Sequence, residues 1–247
     1  MKKQIIENCR KLLAAYRDWK LGYMKMPEDE NPWFSSDENE LCLAYFTLPM
    51  ALNYQRNSYK LRESALQTYQ DPMTKDVFDV KKSGLMSDDE LRRKLMKYKL
   101  ALQPNKHIQT WRKISQTVAE HRWSFAQFFV AVDNDFLILQ DMVQKLHKQG
   151  FPYLSGPKIF NYRSFIIQKY WGITLRNSEY IEIAPDTHVT KCSVKLWVIT
   201  AQKAENLTKE KISEKWRAVL KWSGIAPIDM HSPLWFWSRN NFMFELE

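Results

Sequence analysis

The chain has only six glycines in 247 residues, with no Asn-Gly or Asp-Gly pair, and this sets the first limit on its fold. Tight two-residue hairpins need positive φ at their central positions, and those pairs supply it at the least steric cost. A sandwich or barrel uses many such turns, so their scarcity argues against both. Helices joined by longer loops remain, and the apolar spacing agrees. Ile6, Leu12, Leu13, Tyr16 and Trp19 recur at helical intervals within the first twenty residues.

The segment Met26–Pro32, rich in acids and bounded by prolines, reads as a linker. Ser35 with Glu38 forms a capping-box pattern ahead of an apolar run through Leu41, Leu43, Ala44, Phe46, Leu48 and Leu52, with Pro49 as a kink. Ser87 with Glu90 opens another helix, which should stop before Pro104. Helices are expected at 106–121, 123–132 and 134–149, the last ended by Gly150-Phe151-Pro152. Further helices are expected over 158–171, 187–201 and 208–223, before an aromatic tail from Ser232 to Phe244. Ile181–Ala184 and Leu196–Thr200 have β-branched content that suits strands. In the second region, however, Val189, Cys192, Leu196 and Ile199 fall on a helical stripe, and the helix is preferred. The fold class expected is all-α. Residues 1–34 form an N-terminal helix and linker, 35–150 a helical lobe, 151–201 a segment carrying the chemistry, and 202–247 a C-terminal helical segment.

Lysine and arginine number 37 against 28 acids, a formal charge of +9, which attracts polyanions and above all nucleic acid. A well-solvated basic surface is the plainer alternative. Cys9, Cys42 and Cys192 are dispersed and form no Cys-x-x-Cys pair, which argues against a zinc ribbon or an iron–sulfur loop. No metal and no cofactor is expected. The opening residues lack the apolar core of a signal peptide, and no apolar run is long enough to span a membrane. These features lead to the expectation of a soluble intracellular protein of the cytoplasm or nucleoid, with no membrane partner.

The informative stretch runs from Phe151 to Ile199. A helix ends, a tight turn containing Gly156 follows, and Lys158 stands in the first turn of the next helix. Pro185-Asp186-Thr187-His188 comes later, with Asp186 28 residues beyond Lys158. Read singly, Asp186 is a helix N-cap and Lys158 a solvated first-turn residue. In conjunction, Gly156-Pro157-Lys158 and Pro185-Asp186-Thr187-His188 resemble the motifs of the helix-hairpin-helix DNA glycosylases. The long spacing, together with Leu52-Asn53-Tyr54-Gln55, is most similar to the archaeal 8-oxoguanine glycosylase branch. Two departures stand out. Leu154 occupies the place of the hairpin's first glycine, and Pro157 removes one amide N–H.

The resemblance implies a two-lobed helical fold, with the hairpin and the aspartate at a cleft between the lobes. It implies a monomer acting on double-stranded DNA that carries a damaged base, with 8-oxoguanine the expected lesion. Lys158 would be the nucleophile, made neutral by burial and by the positive end of its helix, and Asp186 would stabilise the developing sugar cation. Gly156 would let the hairpin approach a phosphate. Gln55 would read the edge of a flipped base, His188 would lie near the DNA backbone, and Trp235 and Trp237 would stack on the base, core packing being the plainer reading for most of the ten tryptophans. His231, four residues before Trp235, stands where that branch has an aspartate, so the lesion preferred could differ. Two rivals are a non-catalytic helix-hairpin-helix DNA-binding protein and a glycosylase for another lesion.

Overall fold

The structure, a computed structural model, describes residues 1–54, 56–120 and 124–246. Thirteen α-helices run through the described residues in the order α1 (Lys2–Arg17), α2 (Asn39–Thr47), α3 (Ser58–Gln70), α4 (Val80–Leu85), α5 (Asp88–Lys97), α6 (Lys106–Glu120), α7 (Phe125–Ala131), α8 (Phe136–Asp141), α9 (Pro157–Trp171), α10 (Thr187–Lys195), α11 (Ala201–Asn206), α12 (Lys209–Leu220) and α13 (His231–Arg239). The described residues contain no strand, only an isolated parallel bridge between Asp135 and Arg176. The chain is therefore all-α, as its glycine-poor composition leads one to expect. It divides into two compact units, one of residues Met26–Arg176 and the other of Met1–Lys25 with Asn177–Glu247. The second division falls inside the 151–201 segment and separates the turn before Lys158 from the aspartate motif.

In the Met26–Arg176 unit, α4 lies against α6, while α2 contacts α7 and α9. Small residues allow the first contact: Ser83 Oγ donates to Ser115 Oγ at 2.9 Å, and a Cβ on Gly84 would sit 3.4 Å from the Gln116 backbone nitrogen. The core is aromatic. Tyr45, Phe78 and Trp111 are fully buried, and their rings meet at centroid distances of 5.6 Å. Side-chain caps fix helix starts throughout this unit, at Asn57, Asp79, Ser87, Ser124 and Asp135. Ser87 accepts the Glu90 N–H at 3.2 Å, and the Glu40 carboxylate reaches from α2 to accept the Phe125 and Ala126 N–H groups of α7. At Ser35 only half of the expected box forms: Glu38 accepts the Ser35 N–H, and the helix begins one residue beyond Glu38.

The segment expected as a linker is instead anchored. Glu28 is 1% exposed and accepts from Arg62, itself 1% exposed, and from the Tyr162 hydroxyl at 2.9 Å. Asp29 accepts from Tyr170 at 2.6 Å. Burial of an ion pair is tolerated only when its remaining polar atoms are satisfied, and the Tyr45 carbonyl and Tyr162 hydroxyl meet that need.

In the other unit, α1 packs on α12 and α13, and α10 on α13. Cys9, Leu12, Trp216, Leu234 and Phe236 are fully buried. Trp216 Nε1 donates to Ser193 Oγ at 2.8 Å, which ties α12 to α10. The aromatic tail is not a tail, since most of it forms α13, with Leu234, Phe236 and Trp237 directed inward. All three cysteines are buried free thiols. Burial pushes Cys9 and Cys42 up to about 12 and Cys192 higher still, where the Asp186 carboxylate adds to the effect.

Candidate functional site

Lys158 is approached through α8, which widens into a π-helical turn at Met142–Leu146 and tightens to a 3-10 turn at Lys148–Gly150. Gly150 is required by proximity: a Cβ there would lie 2.5 Å from Thr117 Cγ2 on α6. The chain then reverses over residues 151–156. The Leu154 N–H donates to the Pro152 carbonyl at 2.7 Å, Ser155 to Phe151 at 2.9 Å and Gly156 to Tyr153 at 3.0 Å. Tyr153 carries the turn's positive φ of 61°, and Leu154, at the place expected for a glycine, is 1% exposed. The first glycine is thus replaced by an apolar anchor. Gly156 is the N-cap of α9 at φ −68°, so it meets no left-handed requirement, and a Cβ there would lie 3.1 Å from the Tyr153 carbonyl.

The Leu154, Ser155 and Gly156 amides bond within the turn and Pro157 has none, so the N–H groups of Lys158 and Ile159, like that of Tyr153 earlier in the turn, have no backbone partner among the described residues. The Lys158 side chain is exposed and has no polar partner among them. Burial, expected as a means of keeping its amine neutral, is absent because the inward face of α9 begins only at Phe160.

The Leu52–Tyr54 segment lies beside this same turn. The Tyr54 and Tyr153 rings are 6.2 Å apart, and the Lys106 ammonium stands 5.2 Å from the Tyr153 ring centre. Arg56 fixes the chain just beyond by donating to the Leu100 and Lys99 carbonyls, both at 2.6 Å. Gln55 itself lies outside the described residues.

Asp186 belongs to the other unit. It is the N-cap of α10, and its Oδ1 accepts the Val189 N–H at 2.9 Å. The carboxylate is half-buried, and its second oxygen has no partner among the described residues. Thr190 closes the same turn by donating its hydroxyl to the Asp186 carbonyl at 2.6 Å. His188 points to α13, where Nδ1 lies 3.1 Å from Ser238 Oγ and the ring meets Trp235 edge-on at 5.6 Å. The Arg239 guanidinium stands 4.9 Å from the Trp235 ring centre. His231 is buried at the start of α13.

The structure therefore assembles Asp186, His188 and Trp235 on the packed pair α10 and α13, and places Gly156 and Lys158 in the Met26–Arg176 unit. Sequence reading missed Ser238, Arg239, Tyr153 and Lys106. The first two fall three and four residues after Trp235, a helical spacing that the tail reading concealed. No signal in the sequence pairs Lys106 with Tyr153. Among the described residues no cluster of histidine, cysteine or carboxylate side chains could hold a metal ion, and no helix is long and apolar enough to cross a membrane. No protein-family model matches the chain, and no curated protein or solved structure is detectably similar to it.

Proposed function

We propose that the chain is a base-excision DNA glycosylase with lyase activity, with the helix-hairpin-helix fold that its motifs resemble. It works as a monomer on double-stranded DNA inside the cell, in the cytoplasm or nucleoid, and removes an oxidised purine, 8-oxoguanine. The observation that carries the proposal is Lys158: an exposed primary amine in the first turn of α9, behind a closed turn and beside two unpaired amides. Such a helix start favours an anion nearby and disfavours the charged form of an amine.

The damaged nucleotide leaves the stack before its anomeric carbon can be reached. The neutral Lys158 amine attacks that carbon, and the bond to the base breaks as the bond to nitrogen forms. Ring opening and loss of a proton give the Schiff base, and β-elimination then breaks the 3′ carbon–oxygen bond. Asp186, with one oxygen committed to its cap, offers the other to the positive charge on the sugar. His188 and Trp235 meet backbone and base, Gln55 reads the base edge, and Gly156 admits the phosphate. Substrate burial of Lys158 supplies the desolvation that the free protein lacks.

The exposure of Lys158 also favours a second reading, a non-catalytic DNA-binding protein, because an exposed lysine can reach a backbone phosphate without any rearrangement. Borohydride trapping on an 8-oxoguanine duplex separates the two. The expected result is a covalent adduct through Lys158, lost in Lys158→Gln while DNA binding persists. A folded Lys158→Gln that still traps would overturn the assignment. A wild-type protein that binds DNA but neither traps nor releases a base across a panel of lesions would establish the second reading.

A further inference from the structure

A groove of ≈ 460 Å³ opens beside Gly150, lined by Lys113 and Thr117 of α6 and by Lys145, His147 and Lys148 of the segment leading to the turn. Its shape follows from two local features. The absent Cβ of Gly150 lets that segment close on Thr117, and the π-helical turn at Met142–Leu146 widens the backbone just before it. Wide turns of this kind are frequent at functional positions. Lys145 is paired with Asp141 at 2.7 Å, whereas Lys113 and Lys148 have no side-chain partner among the described residues. Glu120 is the one acid on the lining, against three lysines.

We propose that this groove is a second DNA-backbone subsite, which takes a phosphodiester segment and reads no base. The proposal rests on the DNA-binding reading above and extends it to a surface that the motifs do not touch. The lining explains the choice of ligand. It holds no phenylalanine, tyrosine or tryptophan, His147 is its one ring and Leu146 its one large apolar side chain, so charge is the main thing it has to offer. The cations also continue toward Lys158. Lys106 lies two helical turns before Lys113, about 10 Å along α6, and its ammonium stands over Tyr153 in the turn. A backbone held at the start of α9 could therefore pass Lys106 and enter the groove.

The test is a salt titration of binding to an undamaged fluorescent duplex, read by anisotropy. Wild type is compared with Lys113→Gln/Lys148→Gln and with Lys203→Gln/Lys215→Gln, which removes equal charge from α11 and α12. All four side chains are exposed, so thermal unfolding serves as a check that each variant is folded. Each lost phosphate contact lowers the log–log salt slope by about 0.9, so the groove variant should lose about 1.8 and the control little. Equal slopes in the two variants, with steep binding by wild type, would overturn the groove and leave DNA binding standing. Wild-type binding that ignores salt would remove both. Competition by polyglutamate as effective as that by DNA of equal charge, lost in the groove variant alone, would assign the groove to an acidic peptide and also overturn the proposal.

Discussion

Asp186 has a structural duty and a proposed chemical one, and two substitutions separate them. Its Oδ1 caps α10 through the Val189 N–H, and asparagine can keep that bond because it presents the same oxygen. Asp186→Asn should therefore lose only the attraction between a full charge and the helix dipole, about 0.3–1 kcal/mol. Asp186→Ala loses the cap as well, a further loss of about 0.5–2 kcal/mol. For a chain of this size that corresponds to a Tm drop of about 2–4 °C per kcal/mol, so the two variants are resolvable by thermal unfolding. Base release should not follow that order. Removing a group that faces developing charge costs about 2.7–4 kcal/mol, or a hundred- to thousandfold in rate, and both variants remove it. Single-turnover release from an 8-oxoguanine duplex is the assay. If rates fall only in proportion to stability, or Asp186→Asn releases base at the wild-type rate, Asp186 is a cap and nothing more.

Two further outcomes concern the fold. His107 is buried, its Nδ1 accepts the Leu102 N–H at 3.1 Å, and burial, aided by Arg56 and Lys106, holds its pKa below the ordinary value. The unfolded chain thus takes up this proton first as pH falls, so stability is full above about pH 6.5 and is lost progressively below it; His107→Asn should flatten Tm between about pH 7 and 5, and an unchanged slope would refute the assignment. Glu28→Ala leaves Arg62 buried without its carboxylate and should cost about 3–5 kcal/mol in urea unfolding, most of it recovered when Arg62→Met is added; a loss under about 1 kcal/mol would mean the pair is not buried in solution.

What could be read from the sequence was local. The Ser87 cap and the breaker at Gly150-Phe151-Pro152 depend on a few adjacent residues and stand where the pattern put them, and α9 starts at Pro157, one residue before the expected 158. The stripe Val189, Cys192, Leu196 and Ile199 is buried throughout, yet α10 stops at Lys195 because the backbone turns left-handed at Trp197, φ 60°. A tryptophan at such a position carries no warning in a sequence, where glycine would have marked the stop. The Met26–Pro32 segment misled for another reason. Its acids look solvated until Arg62 and Tyr162 arrive from α3 and α9, 34 and 134 residues away. For the site, the motif residues were legible as types and order, while Tyr153, Lys106 and the groove depend on contacts between distant segments.

The turn at 151–156 bears on the thermodynamics of whatever binds there. With Leu154 anchored in the core and three successive amides already bonded, its shape is set before any ligand arrives. A phosphate meeting Lys158 and Ile159 therefore finds a loop with little conformational freedom left to surrender, and the ordering penalty that weakens many flexible sites is small. Association at this end of α9 should accordingly show a heat-capacity change too small for coupled folding.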